Sequence, residues 1–279
     1  MTPVRFTRLP VELRGREAKS FSDNITPFRR FNTMRPISFT LAILFTFIFF
    51  STALALEPNT LSDEEKNEGF VLLFDGKSLD GWSGDPNIWS VVDGAIVGRT
   101  EAEGPRRLQY NTFLTYQKKE FGNFILRFDI KVSEAGNSGM QYRSWMMPGD
   151  QPYRVAGYQA DIDGRHIHTG ILFGEGGFGG ILSGQGEITF IDNERRPHIV
   201  RRFAESDALR QKLKFEDWNA YEVIADGFTF INIINGHMMS VCIDNDEARR
   251  KATGLLSIQA HRGPPMWVEI RNIRIRELP

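Results

Sequence analysis

The stretch that decides the fold is residues 254–278, GLLSIQAHRGPPMWVEIRNIRIREL. Apolar and polar residues alternate on both sides of a rigid joint, HRGPP, and many of the apolar residues are β-branched or aromatic. This pattern predicts two β-strands. The second strand changes phase near Asn272, which indicates a β-bulge. The joint holds His261, one of five histidines in the chain, and a titratable group at a strand end is well placed to meet a ligand.

Other segments indicate the same kind of structure. Residues 124–132 alternate strictly between apolar and polar positions, as a strand with one buried face does. Asp93-Gly94 predicts a tight hairpin, and a second hairpin is expected about Gly227. Only residues 206–213 have a helical pattern, which argues against alternating strands and helices. We therefore predict an all-β fold, a two-sheet antiparallel jelly-roll sandwich. Residues 99–110 and 164–199 interrupt the pattern and are expected to be long functional loops.

The N-terminal region predicts export. Residues 37–50 are apolar and uncharged, Arg35 precedes them, and Ala53-Leu54-Ala55 follows as a small-x-small cleavage site. We expect residues 34–55 to be a signal peptide that starts at Met34, and residues 1–33 to be an over-extended N-terminus. Residues 56–68 are then a linker or one short helix, and residues 69–279 form the domain. The predicted location is periplasmic or secreted, with a membrane anchor as the alternative, because residues 37–56 could cross a bilayer.

Composition restricts the possible partners. Residues 56–279 contain 26 Lys and Arg against 32 Asp and Glu, a net charge of −6. This charge argues against nucleic acid or an anionic membrane surface as a partner. Cys242 is the only cysteine, so an intramolecular disulfide cannot form, and its apolar surroundings predict a buried thiol.

Two polar segments are the first candidates for a site. In residues 136–143, GNSGMQYR, a turn at Asn137 precedes a strand, and Gln141 and Arg143 share one face at i, i+2. An amide beside a guanidinium suits recognition of hydroxyl and carbonyl oxygens. The alternative is a solvated strand face.

In residues 157–163, GYQADID, Tyr158, Ala160 and Ile162 alternate with Gln159, Asp161 and Asp163. Two carboxylates at i, i+2 could have pKa values that differ, or could bind a hard cation. The alternative is an outward face near a strand end.

The third candidate is residues 169–182, TGILFGEGGFGGIL, where six glycines surround the single charge of Glu175. Such a loop lets backbone approach a ligand closely, although the Glu could equally be incidental to a flexible turn. His166 and His168 flank this loop without a further cluster to complete a zinc site. No Gly-x-Ser-x-Gly elbow is present, so acyl chemistry through a serine is poorly supported.

Five segments together resemble the 3-keto-disaccharide hydrolase family, also described as 3-keto-glucoside 1,2-lyase/3-keto-2-hydroxyglucal hydratase. They are residues 69–82 (GFVLLFDGKSLDGW), 89–98 (WSVVDGAIVG), 136–143, 157–163 and 254–278. The resemblance covers about residues 69–279 and implies a concanavalin A-like sandwich. The family's Asn-Ser-Gly turn, its Glu loop and its Gln-x-His-x-Gly-Pro-Pro end are matched. Its Tyr-Gln-x-x-Asp strand corresponds to Tyr158, Gln159 and either Asp161 or Asp163. One departure is Gly157, because many members have Glu at this position before the Tyr-Gln pair. A role that the family assigns to that Glu therefore cannot be assigned to a residue of this chain.

The chemistry that the resemblance implies is cleavage of a 3-keto-glycoside. A ketone at C3 acidifies the C2 proton, a base removes it, the glycosidic oxygen leaves by β-elimination, and water adds back. His261 suits the base or the acid, while Arg143 and Gln159 suit the donors to the enolate. The candidate catalytic residues are His261, Asp161, Asp163 and Glu175, and the candidate substrate-binding residues are Arg143, Gln159, Gln141, Asn137 and Tyr158.

Several points stay open at the level of sequence. The expected partner is a small-molecule or oligosaccharide substrate, and the sequence does not indicate an oligomeric state. No cofactor is evident, although a divalent metal could act in place of Arg143. Two other functions fit the same fold, a non-catalytic carbohydrate-binding module and a conventional two-carboxylate glycosidase.

Overall fold

The computed structural model describes residues 57–279. The predicted signal peptide, residues 34–55, and the preceding residues 1–33 lie outside the described part. Within residues 57–279, no helix is long and apolar enough to span a membrane.

The described part consists mainly of short strands. The helices are α1 (Asp63–Glu68) and α2 (Ser206–Arg210), and Gly104–Arg106 forms a 3₁₀ turn. The strands are β1 (Val71–Leu72), β2 (Trp82–Ser83), β3 (Trp89–Val92), β4 (Ala95–Arg99), β5 (Thr112–Tyr116), β6 (Phe124–Val132), β7 (Asn137–Met146), β8 (Val155–Asp163), β9 (Leu172–Glu175), β10 (Gly180–Ser183), β11 (Glu187–Ile191), β12 (Pro197–Arg202), β13 (Asn219–Asp226), β14 (Thr229–Ile234), β15 (His237–Asp244), β16 (Leu255–Ala260) and β17 (Trp267–Glu277).

These strands form two sheets. The ten-stranded sheet has the order β12-β11-β15-β14-β13-β6-β17-β4-β3, with β1 paired to β17, and the seven-stranded sheet has the order β10-β9-β8-β7-β16-β5-β2. Pairing is antiparallel throughout most of both sheets, but β11 and β15 run parallel. The predicted all-β, two-sheet jelly-roll sandwich is therefore confirmed, with one parallel pair that was not expected.

Strand β6 shows why the sandwich forms. It is hydrogen-bonded between β13 and β17, and its side chains alternate between buried and half-buried along its whole length. The buried members belong to one apolar cluster with inward residues of the other sheet, such as Met140 and Ile258. Burial of each large apolar side chain contributes about 1.5–3 kcal/mol. The residues predicted to face the core, all at most 3% exposed, are Phe124, Leu126, Phe128, Ile130 and Val132.

Strands β16 and β17 are consecutive in the chain but belong to different sheets. The joint between them, which begins at His261, therefore crosses from one sheet to the other. The predicted bulge in β17 is also confirmed. Pairing with β6 shifts register between Arg271 and Arg274, and Asn272 lies in the left-handed region at φ 55°.

We expected residues 56–68 to be a linker or one short helix, and the described part of this segment, residues 57–68, contacts the domain. Helix α1 begins with a capping box in which Ser62 and Glu65 satisfy each other's backbone N–H groups. The Glu65 carboxylate pairs with Arg274 of β17 at 2.5 Å. Asn59 accepts a hydrogen bond at 2.8 Å from the backbone of Asn272 at the bulge. The short helix that the sequence allowed is thus docked on β17.

Residues 164–199, predicted to be a long loop, contain strands β9, β10 and β11 and the start of β12. The sequence pattern missed them because β9 and β10 have only four residues each and lie among glycines. The prediction for Cys242 is confirmed, because this thiol is free and buried. Burial raises its pKa to about 12.

Arg143 is a buried structural residue at the end of the sandwich. It adopts φ 45°, and the pairing of β7 with β8 shifts register between Tyr142 and Trp145. Its guanidinium donates to the carbonyl oxygens of Gly227 at 2.7 Å, Gly122 at 3.0 Å and Lys251 at 3.1 Å. One side chain therefore joins three separate loops.

We expect Arg143→Ala to lower the free energy of unfolding by about 3 kcal/mol or more, since each of the three carbonyls loses its donor at a cost of about 1–3 kcal/mol. Denaturant midpoints of the two proteins would measure this change. Arg201→Ala is the matched control, because Arg201 is an exposed arginine on β12, and it should leave the midpoint almost unchanged. Equal midpoints for all three proteins would contradict the structural role.

Candidate active site

A cavity of about 570 Å³ lies over the outer face of the seven-stranded sheet. Its floor comes from β9, β8, β7 and β16, which are neighbours in that order. Tyr158 and Ala160 of β8 lie in the core, so the alternation of the strand directs Gln159 and Asp161 outward into the cavity. The polar and charged side chains that line it are Asn111, Asn137, Arg154, Gln159, Asp161, His168, Glu175, Gln259 and His261.

A chain of side-chain amides connects the two carboxyl groups of this cavity. Gln141 donates to the Oε1 atom of Gln159 at 2.8 Å. Gln159 in turn donates to Oδ1 of Asp161 at 2.7 Å and to Oε1 of Gln259 at 3.4 Å. Gln259 donates to Oε2 of Glu175 at 3.3 Å. Because each amide has one donor and one acceptor end, this sequence of bonds fixes which end of Gln159 faces Asp161.

Gly139 makes room for this arrangement. It is the register partner of Asp161 on the neighbouring strand β7. A Cβ atom at this position would lie only 2.6 Å from Cγ of Gln159. Asn137, Ser138 and Gly139, which the sequence predicted to form a turn, are the first residues of β7 instead. Gly139 is required by the amide beside it, because any side chain there would displace Gln159.

Asp161 is the most perturbed acid of the cavity. It is 5% exposed, and burial raises its pKa to about 8, with a smaller contribution from the charges of Asp163 and Glu175. The Gln159 hydrogen bond opposes this rise without cancelling it. Asp161 is therefore protonated at neutral pH, and since Oδ1 accepts from Gln159, Oδ2 is left to carry the proton.

Glu175 closes the cavity at the end of β9. Asn111 donates to its Oε1 atom at 3.2 Å, and the same asparagine accepts a hydrogen bond from the backbone of Arg262 at 2.9 Å. Glu175 is the register partner of Gly157. A Cβ atom at Gly157 would lie 2.7 Å from Cα of Ser144, so this position has no room for the Glu found in many family members.

His261 follows β16 directly and reaches the cavity from the joint between the sheets. The side chain is half-buried. Burial lowers its pKa, and the negative charge of Glu175 partly opposes that effect. The imidazole is therefore neutral at physiological pH and can accept a proton.

Five of the nine predicted site residues line the cavity, namely Asn137, Gln159, Asp161, Glu175 and His261. They come from three strands, β7, β8 and β9, and from the loop after β16. Gln141 lies beneath the floor, fully buried, and contacts Gln159. It supports the site from below and does not contact a ligand in the cavity directly.

Two of the substrate-binding predictions are corrected. Arg143 was placed beside Gln141 by simple alternation, but the bulge turns its guanidinium toward the backbone carbonyls of the loops. Tyr158 lies on the inner face of β8, where its hydroxyl donates to Oδ2 of Asp244 at 2.5 Å. Both residues are therefore outside the cavity.

Asp163 also serves a different purpose from the one predicted. It ends β8, and its carboxylate accepts hydrogen bonds from the backbone N–H groups of Arg165, Ile167 and His168. These bonds hold the turn after the strand. The carboxylate is hydrogen-bonded within the turn and does not line the main cavity.

Four of the polar and charged lining residues were not predicted as site residues. Gln259 could have been found, because Leu256, Ile258 and Ala260 alternate with it and it lies two positions before His261. Asn111, Arg154 and His168 occupy irregular segments, where the sequence gives no facing direction. Within residues 57–279, no group of three or more His, Cys, Asp and Glu side chains is arranged to hold a metal ion, so we assign no metal ligands.

Comparisons with known proteins agree with this fold. The sequence model of the 3-keto-alpha-glucoside-1,2-lyase-like domain matches residues 69–276. A protein from Parabacteroides distasonis, provisionally named a glycosyl hydrolase, has a solved structure with a TM-score of 0.53 and 22% identity, covering 80% of this chain and 100% of that one. At that identity, the likeness supports the fold alone.

A relative from Bacteroides thetaiotaomicron, named 3-keto-disaccharide hydrolase, is 33% identical over 93 residues. The match covers 32% of this chain and 32% of the relative, so it spans about a third of the relative's length. The family match, in contrast, extends over most of the chain and includes every strand of the cavity floor. The chain therefore belongs to the 3-keto-alpha-glucoside-1,2-lyase-like family.

Proposed function

We propose that this protein cleaves 3-keto-glycosides by proton abstraction at C2, β-elimination and rehydration. The observation that carries the proposal is that the carboxyl group of Asp161 and the imidazole of His261 line one cavity. Asp161 holds a proton at neutral pH because it is buried, and His261 lacks one for the same reason. An acid and a base with these states are what elimination across C1 and C2 requires.

In the proposed reaction, neutral His261 removes the C2 proton, and the electron pair forms the enolate of the C3 ketone. The C1–O bond then breaks, and Asp161 gives its proton to the departing glycosidic oxygen. The product has a double bond between C1 and C2. Water adds across it, with hydroxide to C1 and a proton to C2, which completes a net hydrolysis.

The amides give the cavity the donors that the enolate oxygen needs. Gln259 and Asn111 hold Glu175 in place, and Glu175 stabilises the imidazolium that forms on His261. Gln141 acts as a positioning residue, because its bond to Gln159 turns that amide's donor toward Asp161. No step in this proposal is assigned to Arg143 or Asp163.

A conventional glycosidase is the second candidate, since Asp161 and Glu175 are two carboxyl groups on one cavity. The two functions differ in the substrate that they need. Incubation with a 3-keto-glucoside and the matched unoxidised glucoside, each with and without EDTA, separates them and tests metal dependence. We expect turnover of the 3-keto compound only. Equal cleavage of the plain glucoside would favour the conventional mechanism, and binding without turnover of either would favour a binding module.

Replacing His261 with Ala should reduce turnover of the 3-keto-glucoside by about 10²–10⁴-fold, the usual contribution of a general acid or base. Steady-state kinetics and a thermal melt on the same sample separate lost chemistry from lost folding. His237→Ala is the control, because His237 is exposed on β15, outside the cavity. Unchanged turnover in His261→Ala would rule out its role as the base.

The pH profile gives an independent test. We expect kcat/KM to rise with pH as His261 loses its proton, below the usual range of histidine, and to fall as Asp161 loses its proton near pH 8. In Asp161→Asn the rate should drop and the alkaline limb should disappear, since the titrating acid is gone. An alkaline limb that persists in this variant would mean that another group supplies the proton.

We also propose that the protein is exported. The support is the apolar run at residues 37–50 with the small-x-small site that follows it. Mass spectrometry of the native protein should find a mature N-terminus near Leu56 in the periplasmic or extracellular fraction. Recovery of an intact chain from the membrane fraction, with residues 37–50 retained, would contradict cleavage.

A further inference from the structure

A second, smaller compartment of about 300 Å³ adjoins the main cavity. Asn111, Arg154, Glu175 and His261 line both spaces. The proposed base and the carboxylate that faces it therefore stand where the two compartments meet. A substrate that spans them would present its central bond to His261.

The two compartments differ in chemistry. The larger one has the amides and the neutral acid, which match the hydroxyl and ketone oxygens of a sugar ring. The smaller one adds Tyr110, Arg262 and Gln109 beyond the junction. An aromatic ring with guanidinium groups beside it suits an anionic group instead. On this basis the keto-sugar occupies the larger compartment, and the leaving group occupies the smaller one.

The positive charge of the smaller compartment is only partly neutralised by the groups that line it. Arg154 lies 6.0 Å from the ring centre of Tyr110 and donates to the amide of Gln151. Arg262 is exposed and donates weakly to a backbone carbonyl, that of Gln109 at 3.4 Å. Neither guanidinium is in an ion pair within residues 57–279.

Glu175 offsets part of this charge, because a carboxylate that accepts from the amides of Asn111 and Gln259 keeps its negative charge. Two guanidinium groups against one carboxylate leave an excess of one positive charge beside the neutral His261. Burial is the main cause of the lowered pKa of His261, and the positive charge of Arg262 lowers this pKa further. Two unpaired guanidiniums are notable in a chain whose residues 56–279 have a net charge of −6.

We propose that the smaller compartment binds the leaving group and selects one that carries an anionic group. Guanidinium ions are suited to bidentate hydrogen bonds with carboxylate and related oxyanions. The identification of this group as the leaving group rests on the proposed function above. The preference for an anion beside Tyr110 rests on the two arginines alone.

The test uses phenols that differ only in charge. Binding of 4-hydroxybenzoate, 4-hydroxybenzenesulfonate and neutral 4-hydroxybenzamide to the protein would be compared by titration calorimetry, and turnover of their 3-keto-glucosides would be compared in kcat/KM. We expect about tenfold tighter binding of the anions than of the amide, as for a charge-assisted hydrogen bond. Added salt should reduce this difference. A preference for the carboxylate alone would support the proposal and narrow the group to a carboxylate.

The variants locate the effect. Arg154→Gln combined with Arg262→Gln should abolish the preference, while Arg201→Gln, on the distant strand β12, should keep it. The side chain of Arg262 is exposed and makes a single weak hydrogen bond. Arg262→Gln on its own should therefore remain folded, and it should reduce the preference. Equal binding of anion and amide to the unmodified protein, or a preference that survives the double substitution, would overturn the proposal.

The two proposals can fail separately. If the 3-keto-glucosides are cleaved without regard to charge, the function stands and the anionic preference is wrong. If none of them is cleaved but the anions still bind through Arg154 and Arg262, the function is wrong. The smaller compartment is then an anion site without the assignment to a leaving group.

Discussion

Two apolar sheet faces bury each other in this protein, and the remaining features follow from that contact. Because side chains alternate along a strand, every residue committed to the core sends its neighbour to the outer face. Tyr158 and Ala160 are core residues of β8, so Gln159 and Asp161 must point outward. The same rule applied to β16 places Gln259 beside them. The floor of the cavity is thus the outer face of a sheet whose inner face packs in the hydrophobic core.

The outer face is polar but largely shielded from water, which is an expensive combination unless the groups bond to each other. Gln141, Gln159 and Gln259 meet this requirement by sharing hydrogen bonds along the sheet. Asp161 meets it by remaining protonated. The result is an ordered polar surface in which one proton is available. Gln141 meets the requirement only through its N–H group, since its Oε1 atom has no hydrogen-bond partner in the described part of the chain.

Most of the sequence predictions depended on the alternation of side chains along a strand, and they succeeded where that alternation is regular. Alternation correctly assigned the core face of Phe124–Val132, the bulge near Asn272 and the outward direction of Gln159 and Asp161. It failed at Arg143, because a positive φ reverses the side chain and the letters around it give no sign of that turn. The role of Asp163 depends on backbone donors that exist only after the turn has formed. Asn111 enters the site from a segment without periodicity, so only the folded chain reveals its contact with Glu175.

The joint between β16 and β17 ties the position of His261 to the packing of the two sheets, because β16 belongs to one sheet and β17 to the other. His261 belongs to the crossing segment, whereas Asp161 and Gln159 belong wholly to the seven-stranded sheet. The spacing between imidazole and carboxyl group is therefore tied to how the two sheets are seated on each other. A substitution deep in the core that slides one sheet by a fraction of an ångström would retune the distance for proton transfer without touching the cavity. Evolution could in this way adjust activity from within the hydrophobic interior, while the residues that face the substrate stay the same.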